Sequence, residues 1–133
     1  MNTRRAVVAL VACLCVLATA CGSSKPKAKP VPPPVDARGK TAFEIDAAQN
    51  QFTPATLIVD VGTKVTWKNT DTVAHDVKKS ADAVDFGAPF GISASEFGPG
   101  ASYSFTFAKA GTYFYTCSIH TLMNGKVEVV AKP

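Results

Sequence analysis

The chain has 133 residues, 18% of them charged and 47% hydrophobic, with a mean hydropathy of +0.11. That length holds one domain of ordinary size, not two, and the apolar content excludes a wholly disordered chain. The formal charge of +4 is too small and too scattered for a nucleic-acid-binding surface; it divides into +2 over residues 1–20, +4 over 21–40 and −2 over 41–133, so the globular candidate is mildly acidic.

Residues 1–20 read as an export signal. Arg4 and Arg5 give a positive start, and Ala6 to Ala20 form an apolar run of 15 residues interrupted only by Thr19. A membrane-spanning helix needs about 20 apolar residues. The small residues Ala18, Thr19 and Ala20 then precede Cys21, an arrangement that resembles a bacterial lipobox, although Ala18 stands where a larger aliphatic is commoner. The resemblance implies that Cys21 becomes the lipid-bearing N-terminus of an exported protein, on the periplasmic or cell-wall side of a bacterial membrane. Stable anchoring needs more than one acyl chain.

Residues 21–40 read as the lipidated Cys followed by a tether. Gly22-Ser23-Ser24 leads into a Pro- and Lys-rich stretch with too few apolar side chains to bury, which favours extended, semi-rigid conformers. Its lysines keep a linker solvated; attraction to anionic head groups is the alternative.

Residues 41–133 read as strands. Phe43 and Ile45 alternate with Glu44 and Asp46; Leu57 and Val59 follow Pro54; Gly62 turns the chain into Val65-Thr66-Trp67, with Trp67 as core. Val73, His75 and Val77 share a parity that predicts a strand with His75 pointing inward. Residues 80–100 lack a clean period and read as a long connection whose Phe86, Phe90 and Phe97 plug a satellite core. Tyr103, Phe105 and Phe107 share a face, Gly111 precedes Tyr113 to Cys117, and Val127 and Val129 close the chain. Seven or eight short strands in about 90 residues predict an all-β, two-sheet Greek-key β-sandwich.

Cys13 and Cys15 lie in the signal and Cys21 at its end, which leaves Cys117 alone in the domain, unable to form an internal disulfide. Around it lies a chemically specific set. Cys117, His120 and Met123 fall in one short run, CSIHTLM, and His75 lies 42 residues upstream. Each alone reads as core. Together, two imidazoles, a thiol and a thioether are the ligand set of a blue-copper site, where two His and one Cys bind in a plane and Met is a weak axial ligand. Zinc accepts the first three but makes the Met pointless.

The stretches FTPATLIVDVGTKVTWKNTDTVAHDV and GASYSFTFAKAGTYFYTCSIHTLMNGKVEVV resemble the cupredoxins, the small blue copper proteins, in their plastocyanin and amicyanin branch. The resemblance covers residues 41–133, with an amicyanin-like C-x-x-H-x-x-M spacing. It implies that His75, Cys117, His120 and Met123 carry one copper ion. Two positions depart from the pattern. Asp76 replaces the usual Asn after the first His: an ionised carboxylate beside the sulfur lowers the reduction potential, whereas one facing solvent or capping a turn does nothing. Ile119 stands where Pro is common and adds an N–H near the sulfur.

The function implied is not enzymatic, since two His and one Cys cannot build the additional copper centres of the related enzymes. It is a membrane-tethered, monomeric electron carrier, serving a transient redox protein such as a cytochrome or oxidoreductase. Electrons pass by the ring edge of His120 within an apolar patch to which Ile119, Leu122 and Phe90 contribute. A copper-scavenging or copper-delivering protein is the alternative on the same ligands.

Overall fold

Alternation carries most of the architecture. In a strand successive side chains face opposite ways, and the computed structural model, which describes residues 30–133, buries one parity of nearly every expected strand. The signal-like run, Cys21 and the first part of the expected tether lie outside the described residues. The strands are β1 (Val35–Asp36), β2 (Ala42–Ala48), β3 (Gln51–Thr53), β4 (Thr56–Asp60), β5 (Lys64–Asn69), β6 (Lys78–Lys79), β7 (Ser102–Thr106), β8 (Gly111–Thr116) and β9 (Asn124–Val130), with no helix among the described residues. They form two mixed sheets, ordered β1-β4-β9-β8-β6 and β3-β2-β5-β7. The all-β, two-sheet expectation holds.

The inward faces meet in one core. Ile45 and Ala47 of β2, Val65 and Trp67 of β5, Leu57 and Val59 of β4, Tyr113 and Tyr115 of β8, and Val127 and Val129 of β9 are all buried. Trp67, fully buried as expected, stands edge-on to Tyr115 of the opposite sheet, ring centroids 5.2 Å apart and planes at 84°. Such edge-to-face pairs add about 0.5–1.5 kcal/mol beyond burial.

Three elements differ from the sequence reading. First, the sheet begins within the expected tether: Val35 and Asp36 pair in parallel with Leu57 and Ile58, Ala37 is fully buried, and the Gly39 amide donates to Asp60 Oδ2 at 2.6 Å. An edge position suits a segment just after prolines, because only one side of it must hydrogen-bond. Second, residues 73–77 are not a strand. Val73 is 47% exposed, while His75 and Val77 are fully buried. Asn69 and Asp71 bond the local backbone here, and such side-chain bonds compete with a ladder. Third, the aromatic residues of the 80–100 connection join the main core rather than a satellite. Phe90 stacks edge-on to Trp67 at 5.5 Å and to Phe105 at 5.2 Å, and Phe86 packs on Tyr113 at 4.8 Å. Phe90 is half-buried, with its ring packed against this core.

Candidate metal centre

Two loops build the site, one leading from β5 to β6 and one from β8 to β9. In the first, the buried Asn69 at the end of β5 donates through Nδ2 to the carbonyls of Val73 (2.9 Å) and Phe97 (2.8 Å), while its Oδ1 accepts the Asp71 amide. The His75 amide donates to the same Phe97 carbonyl. Residues 69–75 are thus pinned by polar bonds where a strand would use a ladder, and His75 is delivered inward without one. In the second, Tyr113 and Tyr115 of β8 and Cys117 just past its end are buried at alternate positions. The chain then reverses, and the Cys117 amide donates to the Met123 carbonyl at 2.9 Å. Thr116 Oγ1 donates to that carbonyl as well, at 3.1 Å.

These loops bring three donor atoms together. His75 Nδ1 lies 3.1 Å from His120 Nδ1 and 3.9 Å from Cys117 Sγ, and His120 Nδ1 lies 3.4 Å from Cys117 Sγ. All three fall within 4.8 Å of one another, the only such group with metal-holding potential among the described residues. His75, Cys117 and Met123 are buried and His120 is partly exposed. Two nitrogens and a soft sulfur in so small a space, backed by a buried thioether residue, fit a single soft or borderline metal ion. Ile119 and Leu122 beside His120 are 51% and 92% exposed. Leu122 adopts φ 65°, a left-handed conformation that ordinary side chains rarely take.

Asp76 is nine-tenths and more buried, not solvent-facing. Its amide donates to Cys117 Sγ at 3.4 Å; its Oδ1 accepts the Ser118 amide at 2.6 Å and its Oδ2 the Ser118 hydroxyl. Lys78 Nζ stands 3.2 Å from Oδ2. Burial works to raise the Asp76 carboxyl, but the Ser118 bonds and the Lys78 ammonium outweigh it and hold it below the usual carboxylate range. The backbone N–H that reaches the sulfur is that of Asp76, whereas the Ile119 side chain is turned to solvent.

Asp71 was not singled out by sequence reasoning. Its carboxylate lies 3.1 Å from His75 Nε2, and the Thr72 amide, the His75 ring and the Gln49 amide together hold it below its ordinary range. The available signal was a carboxylate four residues before a candidate ligand. N-T-D-T reads equally well as a turn.

Fold and site define a β-sandwich with a His–Cys–His metal centre in two loops. The description "Copper binding proteins, plastocyanin/azurin family" matches residues 39–130, and the chain belongs to that family. It is 36% identical over 88 residues to amicyanin of Paracoccus denitrificans, a match spanning 66% of this chain and 65% of that protein. It is 35% identical over 89 residues to plastocyanin B'/B'' of Nicotiana tabacum, spanning 59% of this chain and 86% of that one. Among solved structures, a reduced amicyanin mutant superposes with a TM-score of 0.57 at 32% identity, covering 68% of this chain and 83% of the other. A purple cupredoxin from Nitrosopumilus maritimus gives 0.54 at 27% identity, covering 65% and 98%. A copper-containing nitrite reductase from Thermus scotoductus gives 0.59 at 32% identity, but over only 22% of that larger chain. Copper is therefore the metal of this family and the expected cofactor here.

Proposed function

We propose that the protein is a single-copper electron carrier working outside the cytoplasm, in which His75 Nδ1, Cys117 Sγ, His120 Nδ1 and Met123 would hold the copper ion. The observation that carries this reading is the convergence of the three donor atoms within 4.8 Å. A copper ion held there would supply a one-electron couple between Cu(I) and Cu(II), in a ligand set that suits both.

The chain's own part is to keep the ligands still. Asp71 grips the far nitrogen of His75, the Asp76 amide donates to the Cys117 sulfur, and the Cys117–Met123 backbone bond closes the loop that carries three of the four residues. A centre whose ligands are held by the protein rearranges little when its charge changes, which is what rapid electron exchange requires. The partly exposed His120, flanked by Ile119 and Leu122, supplies an apolar opening for a transient redox protein, and weak encounters of that kind use small interfaces.

In this reading Cys21 carries the lipid, and the Pro-rich stretch after it is a spacer of about 3 Å per residue between membrane and domain. Metabolic labelling with a fatty acid tests the anchor: label and membrane association are lost together in Cys21→Ala.

Voltammetry of the copper-loaded protein tests the carrier itself. One reversible one-electron wave, with self-exchange faster than that of aqueous copper, supports it. No reversible wave, with rapid surrender of copper to an acceptor chelator, makes the protein a copper-delivery protein instead.

A further inference from the structure

His75 is fully buried and both of its ring nitrogens are engaged, Nδ1 toward Cys117 and His120 and Nε2 toward Asp71 Oδ2 at 3.1 Å. An ionised carboxylate only accepts. The hydrogen between them must therefore sit on Nε2, which leaves the neutral ring a lone pair on Nδ1, the atom facing the metal centre.

The carboxylate is itself anchored from two sides. The Gln49 amide donates to the same Oδ2 at 2.7 Å, and the Thr72 amide donates to Oδ1 at 2.7 Å. Gln49 and Asn50, at φ 52° and 56°, form the tight turn between β2 and β3 that carries the Gln49 amide to this place. On the other side, the Asp71 amide donates to the buried Asn69 at the end of β5. A surface carboxylate making a chance ion pair would not need two backbone amides to aim it, nor a backbone held in place by Asn69. The Asp71 side chain is 18% exposed, so its charge is only partly screened by solvent.

We propose that Asp71 is a positioning residue of the metal centre: its carboxylate holds His75 in the Nε2–H tautomer with Nδ1 presented to the metal, and its negative charge favours the oxidised state. Groups that orient a ligating imidazole through its other nitrogen tune affinity and basicity at metal sites generally, and removing them costs about 10–100-fold in metal affinity or activity. The inference rests on the reading of the site given above.

Two substitutions in the full chain separate the parts of this role. Asp71→Asn keeps an oxygen that accepts from Nε2 but removes the charge; Asp71→Ala removes both. In metal-free protein, at a pH where imidazole is neutral, long-range proton–nitrogen NMR reads the tautomer directly. The wild type and Asp71→Asn show His75 in the Nε2–H form, and Asp71→Ala shows a mixture. With copper bound, both variants shift to a higher reduction potential, and Asp71→Ala loses Cu(II) at least tenfold faster. An Asp71→Ala protein that keeps the pure Nε2–H form, or an Asp71→Asn protein with the wild-type potential, overturns the proposal. If Asp71→Ala does not fold, the potential of Asp71→Asn decides. A wild type with no reversible couple defeats the carrier reading, and the tautomer measurement on metal-free protein still judges Asp71 independently.

Discussion

The carboxylate of Asp76 ties one ligand loop to the other through Ser118, accepting the amide at 2.6 Å with one oxygen and the hydroxyl with the second. The residue directly after His75 is thereby bound to the residue directly after Cys117. Hydrogen bonds to a charged acceptor contribute about 1.5–3 kcal/mol each. Asp76→Ala should therefore lower Tm by about 10 °C or more, since about 1 kcal/mol moves a domain of this size by 4–8 °C. Asp76→Asn retains most of the connection but removes a buried negative charge beside the sulfur. Its reduction potential should rise while its fold persists, and voltammetry together with thermal unfolding checks both halves.

Gly125 is required by Tyr115. The two are directly opposed across β8 and β9, and a Cβ at position 125 would lie 2.1 Å from the tyrosine ring. That ring cannot yield, because it is fully buried against Trp67 and against Phe52, whose centroid lies 4.9 Å away. Gly125→Ala should destabilise by about 1–3 kcal/mol, the usual cost of overpacking. In a Tyr115→Leu background much of that cost should vanish, a coupling that denaturant unfolding of the four proteins of the cycle would measure.

What could be read in advance follows from the period of each segment. β2, β5, β7, β8 and β9 alternate over five to seven residues, and their buried faces were legible. β1, β3 and β6 span only two or three residues, too short for any period. Val73-Ala74-His75-Asp76-Val77 imitates a strand, but Asn69 takes the Val73 carbonyl and the Phe97 carbonyl takes the His75 amide, so His75 is inward for a reason other than alternation. Met123 and the C-x-x-H spacing were legible because they lie in one run, whereas the hold of Asp71 on His75 depends on a turn at Gln49 that composition does not reveal. That Phe86 and Phe97 join the main core was not legible, because nothing in an aperiodic connection says which of its aromatic residues turn inward.

Leu122 is 92% exposed in a left-handed conformation, an arrangement that burial cannot explain and that costs roughly 1–2 kcal/mol for a side-chain-bearing residue. Strain held in this way is commonly found at functional surfaces. Leu122→Gly should leave Tm unchanged or slightly raised and should keep the colour and potential of the copper centre. Electron exchange with a protein partner should slow, as stopped-flow kinetics would show; an unchanged rate would remove Leu122 from the docking surface.

Metal removal should loosen the whole domain, because a ligand that binds only the folded state stabilises it by mass action, by about 4 kcal/mol at a thousandfold excess over its dissociation constant. Calorimetry should find the copper-loaded protein melting well above the chelator-treated one. The difference should collapse in Cys117→Ser.

The most direct test of the account is the visible absorption spectrum of the protein with one equivalent of Cu(II), recorded before and after ascorbate. The account predicts an intense sulfur-to-copper band that bleaches on reduction, returns on reoxidation and is absent from Cys117→Ser. A colourless protein that nonetheless binds copper tightly would contradict it.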